Sequence, residues 1–176
     1  QGPSTTLMDD AGNIWVSWRD RRQDNGDIYL QKMTGAGNAL LTQNGHPIQA
    51  DGNMSQGSTM VSDGNGGVVI TWYDNRTGQN EVYVQRINGQ GQVQWGSNGI
   101  PVANVSSLKE NPEIVKTSDG KFVIAWEDSR SGNKDLYAQK LDLDGSKLWD
   151  ENGTVITNAS GDQFLYQSEQ PILSTG

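Results

Sequence analysis

Residues 18–32 read WRDRRQDNGDIYLQK: Trp18, Asp20 and Arg22 at alternate positions, a run of small and polar residues, then Asp27-Ile-Tyr-Leu-Gln-Lys32. A tryptophan beside so many charges builds either a binding site or a structural corner. The rest of the chain separates the two readings, because the stretch recurs. Residues 72–86 read WYDNRTGQNEVYVQR and residues 126–140 read WEDSRSGNKDLYAQK. Trp18, Trp72 and Trp126 are 54 residues apart, as are Asp20, Asp74 and Asp128 and Arg22, Arg76 and Arg130. Tyr29, Tyr83 and Tyr137 keep the same spacing, as do Gln31, Gln85 and Gln139. The register runs unbroken from Leu7, Val61 and Val115 to Ile48, Val102 and Ile156. Self-similarity at a fixed period of this size marks a propeller, solenoid or related array. A site used once does not need three copies, so the repeated set reads first as structure.

Composition agrees with such an array. The 176 residues suffice for one domain with its own core. Only 33% are hydrophobic, but they fall in short, regularly placed runs, which argues against disorder. Twenty-two glycines among many Asn, Ser and Asp imply frequent tight turns. The net charge of −8 works against nucleic acid and anionic lipid as partners. No apolar stretch is long enough to cross a bilayer as a helix. With no cysteine, neither a disulfide nor a thiolate metal site is available. The chain begins with Gln rather than Met, the expectation being a processed or excised segment.

Each repeat offers four strand-like segments. The first is weak (Ser58–Ser62, Pro112–Lys116). The second is the strongest (Ile14–Trp18, Val68–Trp72, Phe122–Trp126) and is apolar on both alternating faces, as a strand between two layers must be. The third is Asp27–Met33 and its copies, with Tyr and Gln on one face and Ile28 and Leu30 on the other. A turn such as Asn88-Gly-Gln-Gly91 leads to the predicted fourth strand, Gln92–Trp95 or Ser146–Trp149, and an Asn-Gly step and a short β segment close the repeat. No segment has helical periodicity. The expectation is an all-β, β-propeller-type fold of three four-stranded blades, over 1–54, 55–108 and 109–162 of a single domain. Glu169-Gln-Pro-Ile-Leu-Ser174 resembles Glu110-Asn-Pro-Glu-Ile-Val115 and predicts an extra closing strand over 168–174. The alternative is a β-trefoil-like threefold fold, against which stand the longer repeat and the doubly apolar second strands.

In this frame Trp18, Trp72 and Trp126 anchor one blade on the next. Asp20, Asp74 and Asp128 fold the following loop by accepting its backbone N–H groups, and Arg22, Arg76 and Arg130 pair with them or with Asp27, Glu81 and Asp135 across the loop. Between the fixed Trp and Asp stand Arg19, Tyr73 and Glu127, which differ from copy to copy and are the better candidates for ligand specificity at the loop end. The ligand-binding expectation therefore covers Arg19, Asp20, Arg22, Tyr73, Asp74, Arg76, Glu127, Asp128 and Arg130. Exposed aromatics at Tyr73, Trp95 and Trp149 would serve as stacking platforms for a glycan. His46, the only histidine, lies in a turn with no Ser or Cys context for nucleophilic catalysis. Asp142-Leu-Asp144-Gly145 resembles a fragment of a calcium loop but lacks its other ligands, so it reads as a turn. No cofactor or metal is expected.

The pattern W-x-D-x-R-x4-[DE]-[ILV]-Y-x-Q-[KR], followed by Gly and W-x-x-N-G, resembles repeats of large secreted or surface-attached bacterial proteins. That resemblance implies β-propeller blades and an extracellular setting. A looser likeness, through Ser62-Asp-Gly-Asn-Gly66, is to the Asp-box blades of sialidases, but the aromatic is wrongly spaced and no acid and nucleophile set is identifiable. The reading that follows is a non-catalytic module, not an enzyme, serving as scaffold or as protein or glycan interaction domain. The alternative is a carbohydrate-binding or sialidase-like glycan-processing propeller. Three blades fall short of the usual four to eight. A homodimer completing a six-bladed ring, or neighbouring repeats of a longer chain, would make up the difference; the third expectation is that the chain closes alone as an unusual three-bladed ring.

Overall fold

The computed structural model describes residues 5–22, 26–49 and 55–165. The chain is all-β: three four-stranded antiparallel sheets, one per repeat, with no helix among the described residues. The first sheet contains β1 (Thr5–Met8), β2 (Ile14–Asp20), β3 (Asp27–Met33) and β4 (His46–Gln49); the second, β5 (Ser55–Ser62), β6 (Val68–Asp74), β7 (Glu81–Ile87) and β8 (Ile100–Pro101); the third, β9 (Lys109–Lys116), β10 (Phe122–Asp128), β11 (Asp135–Leu141) and β12 (Thr154–Thr157). Within every sheet the strands pair in chain order. A self-contained four-stranded meander is the strand arrangement of a propeller blade and departs from the β-trefoil alternative. The predicted closing strand at 168–174 lies outside the described residues.

Core positions follow from the doubly apolar second strands. Trp15, Ile28, Leu30 and Ile48 of the first sheet meet Met60, Val68, Ile70, Trp72 and Ile87 of the second. The opposite face of the second sheet, with Val69, Val82, Val84, Trp95 and Val102, meets Ile114, Phe122, Ile124 and Leu141 of the third. The second sheet is thus buried on both sides. One backbone bond recurs where the chain passes from sheet to sheet: Ser55 N–H donates to Gly26 O (3.1 Å), Lys109 to Asn80 (2.9 Å) and Gln163 to Lys134 (2.7 Å). Side chains of the first strands join neighbouring sheets as well, Thr5 Oγ1 donating to Ser58 O and Thr59 Oγ1 to Pro112 O.

The fourth strand differs from the expectation. Gln92–Trp95 makes only the single bridge Ile87–Val93, and the segment after the Asn-Gly step, β8 or β12, completes the sheet. The cause is the repeated glutamine. Gln85 Oε1 accepts the N–H groups of Trp95 (2.7 Å) and Arg86 (3.0 Å), while its Nε2 donates to Gly96 O (2.8 Å). Gln31 and Gln139 hold Thr42 O and Asp150 O in the same way. A buried side-chain amide thus takes over bonds that a ladder would otherwise make, and the chain departs from the sheet beside it. Trp95 accordingly turns inward, 4% exposed and edge-on to Phe122, with Nε1 donating to Leu143 O. It is no exposed glycan platform, as its sequence position suggested. Gln85→Leu keeps the size but orphans several buried backbone groups, so it should cost about 1–3 kcal/mol in urea denaturation; an unchanged midpoint would remove the glutamine from this role.

Candidate functional site

The W-x-D-x-R stretch forms the same corner three times. Trp18, Trp72 and Trp126 donate Nε1–H to Oδ2 of Asp20 (3.0 Å), Asp74 (2.8 Å) and Asp128 (3.0 Å). The other carboxylate oxygen accepts the backbone N–H of Arg22, Arg76 or Arg130. Each arginine pairs with its own aspartate, not with Asp27, Glu81 or Asp135. It then reaches the Asn-Gly turn: Arg22 donates to Asn44 O, Arg76 to Asn98 O and Arg130 to Asn152 O, each at 2.9 Å. Its guanidinium also lies over the neighbouring tyrosine, 4.6 Å from the Tyr29 centroid, 3.7 Å from Tyr83 and 3.8 Å from Tyr137. Those tyrosines stack on the motif tryptophans. The tryptophan fixes the glycine of the turn as well: a Cβ at Gly45, Gly99 or Gly153 would come within 2.4–2.6 Å of its ring, at positive φ. Asp74, Arg76 and their copies, candidates for ligand binding in the sequence, are thus tied into the corner.

The positions that vary between Trp and Asp form a row across the sheets at this end. Arg19 projects toward the second sheet, where burial and the charge of Arg21 lower its pKa while the Tyr73 phenol acts in the opposite direction. Tyr73, at the end of β6, is half-buried with its ring against Gly57. Burial raises its pKa, and Glu110 adds to the shift while Lys134 and Arg19 oppose it. Glu127 is buried at the end of β10, its Oε2 on Lys134 Nζ (2.9 Å) and its Oε1 accepting Leu165 N–H (3.0 Å). The Lys134 ammonium also binds Glu110 Oε2 at 3.0 Å, and Asn80 Nδ2 donates to the other Glu110 oxygen at 2.6 Å. Burial alone would lower the Lys134 pKa, but the two carboxylates raise it. The two carboxylates are thus held together on one ammonium, Glu110 at 3.0 Å and Glu127 at 2.9 Å. Sequence reasoning missed Glu110, Lys134 and Asn80. The available signal was that Glu110 stands opposite Gln56, and Lys134 opposite Asn80, in the repeat register.

Beside the corner of the second sheet lies a cleft of about 540 Å³ with Tyr83 and Pro101 as apolar wall and Gln79, Glu81, Asn104 and Ser106 as polar rim. Behind it Lys109, fully buried, pairs with Glu81 at 2.6 Å. Amide and hydroxyl groups on the rim suit a polar ligand, and the volume is ordinary for a small-molecule site. Trp149 remains 42% exposed. His46 lies in β4, and Asp142–Ser146 forms a turn in which Asp142 pairs with Lys121.

No protein-family model matches the chain, and no curated protein matches it in sequence. Solved structures do share its fold. An endo-arabinase from Bacteroides thetaiotaomicron matches with a TM-score of 0.52 at 12% identity, over 84% of this chain and 60% of that one. A thermostable family-43 glycoside hydrolase matches with a TM-score of 0.52 at 15% identity, over 81% and 52%. An exo-1,5-α-L-arabinanase from a bovine ruminal metagenomic library gives 0.52 at 13%, over 82% and 55%. The chain spans between 52% and 60% of the length of these three. They are propeller glycoside hydrolases, and they support the propeller-like architecture. They also correct the expectation of a non-catalytic, non-enzymatic scaffold: the neighbours in fold are enzymes. The physical reason lies in the repeat. A motif repeated in register accounts for the corners alone, and the row at 19, 73 and 127 is where the repeats differ.

Two outcomes test the corner. Asp74→Ala removes the acceptor of a buried indole N–H, a backbone N–H and a guanidinium, so unfolding free energy should drop by about 1–3 kcal/mol; an unchanged urea midpoint would contradict the role. Acid should act on the corner carboxylates of the first and third sheets and on Asp9. The Arg22 hydrogen bond holds the Asp20 carboxyl well below its ordinary value. Burial pushes Asp128 up, but hydrogen bonds from Arg130, Trp126 and Ser107 more than reverse it. In the turn before β2, burial likewise raises Asp9, yet bonds from Asn13, Trp15 and Lys32 bring it down to about 2. These groups titrate lower when folded, so the unfolded chain takes up protons first and stability falls with pH. Their contribution is complete above the ordinary value of 3.8 and is withdrawn as pH falls through about 2. Urea midpoints that stay flat from pH 5 to about pH 2 would contradict this linkage.

Proposed function

We propose that the chain is the repeat portion of a carbohydrate-binding, glycan-processing propeller that cleaves glycosidic bonds. The observation that carries this reading is the row Arg19–Tyr73–Glu127, joined by Glu110 and Lys134. It is polar, lies at one end of the sheets and occupies the positions where an otherwise regular repeat breaks its symmetry. The fold neighbours, arabinanases among them, support it. Tyr73 offers a ring and a hydroxyl to a sugar face, Arg19 offers donors to hydroxyl groups, and Glu110 and Glu127 are the carboxyl pair for acid and base work. The cleft at Tyr83 and Asn104 is an adjoining contact for a longer chain. We further propose that the protein acts on polysaccharide outside the cell, as a secreted or surface-attached blade repeat. No helix among the described residues is long and apolar enough to cross a membrane.

The test is calorimetric titration with arabino-, xylo- and galacto-oligosaccharides, together with an assay for released reducing ends. The expected result is saturable binding to one series, weakened at least tenfold by Tyr73→Ala with melting unchanged, and hydrolysis lost in Glu110→Gln with binding retained. No binding and no released sugar across all three series would overturn the reading.

A further inference from the structure

The two outer faces of the three-sheet stack are the two halves of an interface that the chain already builds twice. On the third sheet the open face carries Val115, Val123, Leu136, Trp149 and Ile156. In the repeat register these correspond to Val61, Val69, Val82, Trp95 and Val102, which the second sheet buries against the third. Val102 is 0% exposed and its counterpart Ile156 is 56% exposed. On the first sheet the open face carries Ile14, Val16, Trp18 and Met33, the counterparts of Val68, Ile70, Trp72 and Ile87, which lie in the core between the first and second sheets. Val68 and Phe122 are fully buried where Ile14 is 39% exposed. The uncovered apolar residues of each face therefore match residues whose partners are known, and contiguous apolar surface of this kind marks an interface.

We propose that a second copy of this chain covers both faces head to tail: the first sheet of each copy docks on the third sheet of the other, and six sheets close into one ring. A contact between two different faces of the same molecule generates a ring when the rotation closes. The inner strands are compatible with it. Gln163 and Leu165 already bond along the third sheet, at Lys134 O and Glu127 Oε1. In the register Leu165 corresponds to Asn111 and Gly57, whereas Thr5, the first residue of β1, corresponds to Glu113 and Thr59. Within the 54-residue register, residues 163–165 and an incoming β1 fall at successive positions of one inner strand; the stretch 169–174, which resembles 110–115, lies outside the described residues. One feature sets this junction apart from the internal ones. Thr5 and Thr59 donate hydroxyl bonds to the next inner strand, but the third repeat has Glu113 at that place, half-buried and without a hydrogen bond among the described residues. Burial raises its pKa, as expected of a carboxyl at an interface edge.

Size exclusion with light scattering over a wide concentration range tests the proposal. Wild type should run at twice the 19.2 kDa chain mass. Ile156→Glu and Ile14→Glu, both at exposed positions that leave the fold intact by circular dichroism, should each run at the mass of one chain. An equimolar mixture of the two variants should regain dimer, because each retains the half that the other lacks. Glu113→Thr, which restores the hydroxyl donor, should keep the dimer to at least tenfold lower concentration. Wild type at single-chain mass at every concentration would overturn the proposal. So would either charged variant dimerising alone, which means pairing of like faces, or a mass that rises without limit, which means an open stack.

Discussion

Everything at the loop end of this protein hangs on one carboxylate in each repeat. Asp74, with no exposed surface, accepts from the indole of Trp72, from the backbone and from the guanidinium of Arg76. Through that arginine it reaches the Asn98 carbonyl, and through the tryptophan it forces glycine at 99. A charge this deeply buried is tolerable only when its lone pairs are filled and its charge is paired, and the W-x-D-x-R spacing satisfies both demands within five residues. The turn after Trp95, the loop between β6 and β7 and the stacking of Tyr83 all follow from that single satisfied group. The corner is therefore costly to lose.

The fixed residues are bound into the corners, and the repeats differ at the positions between them. Arg19, Tyr73 and Glu127 occupy equivalent places on three sheets, and the fold lines them up on one rim without further device. The same logic produced the lysine cluster: Lys134 replaces Asn80 of the previous repeat, Glu110 replaces Gln56, and two substitutions at neutral positions create a charged triad with Glu127.

Much of the fold was legible because strand alternation and a constant 54-residue register report burial directly. Ile14–Trp18, Val68–Trp72 and Phe122–Trp126 read as strands between layers and lie there. Gln92–Trp95 misled because its alternation is that of a strand, whereas its backbone groups are claimed by Gln85, a long-range side-chain bond that no local pattern encodes. Trp95 was misplaced with it. Of the site, the variable row was legible by comparing copies within the chain, but its joining residues were not, since Glu110 and Lys134 are 24 residues apart and meet only through sheet pairing. The regularity of the motif also encouraged too strong an inference about activity, since repetition explains the residues that repeat and is silent about those that do not.

The two-sided burial of the second sheet has a consequence for how the molecule comes apart. In stacked repeats each unit is stabilised mainly by its neighbours, so stability is distributed as in a one-dimensional chain of coupled units. The first and third sheets each lean on one described neighbour, the second on two. Within a single copy, opening therefore begins at the first and third sheets, and the backbone amides of β6, in the middle one of the three described sheets, exchange last. Terminal sheets open at less cost, and the rim residues they carry, Arg19 on one side and Glu127 on the other, flank a rigid Tyr73. A ligand spanning that row would grip one fixed point and two that fluctuate, and its binding would slow the fraying of both ends.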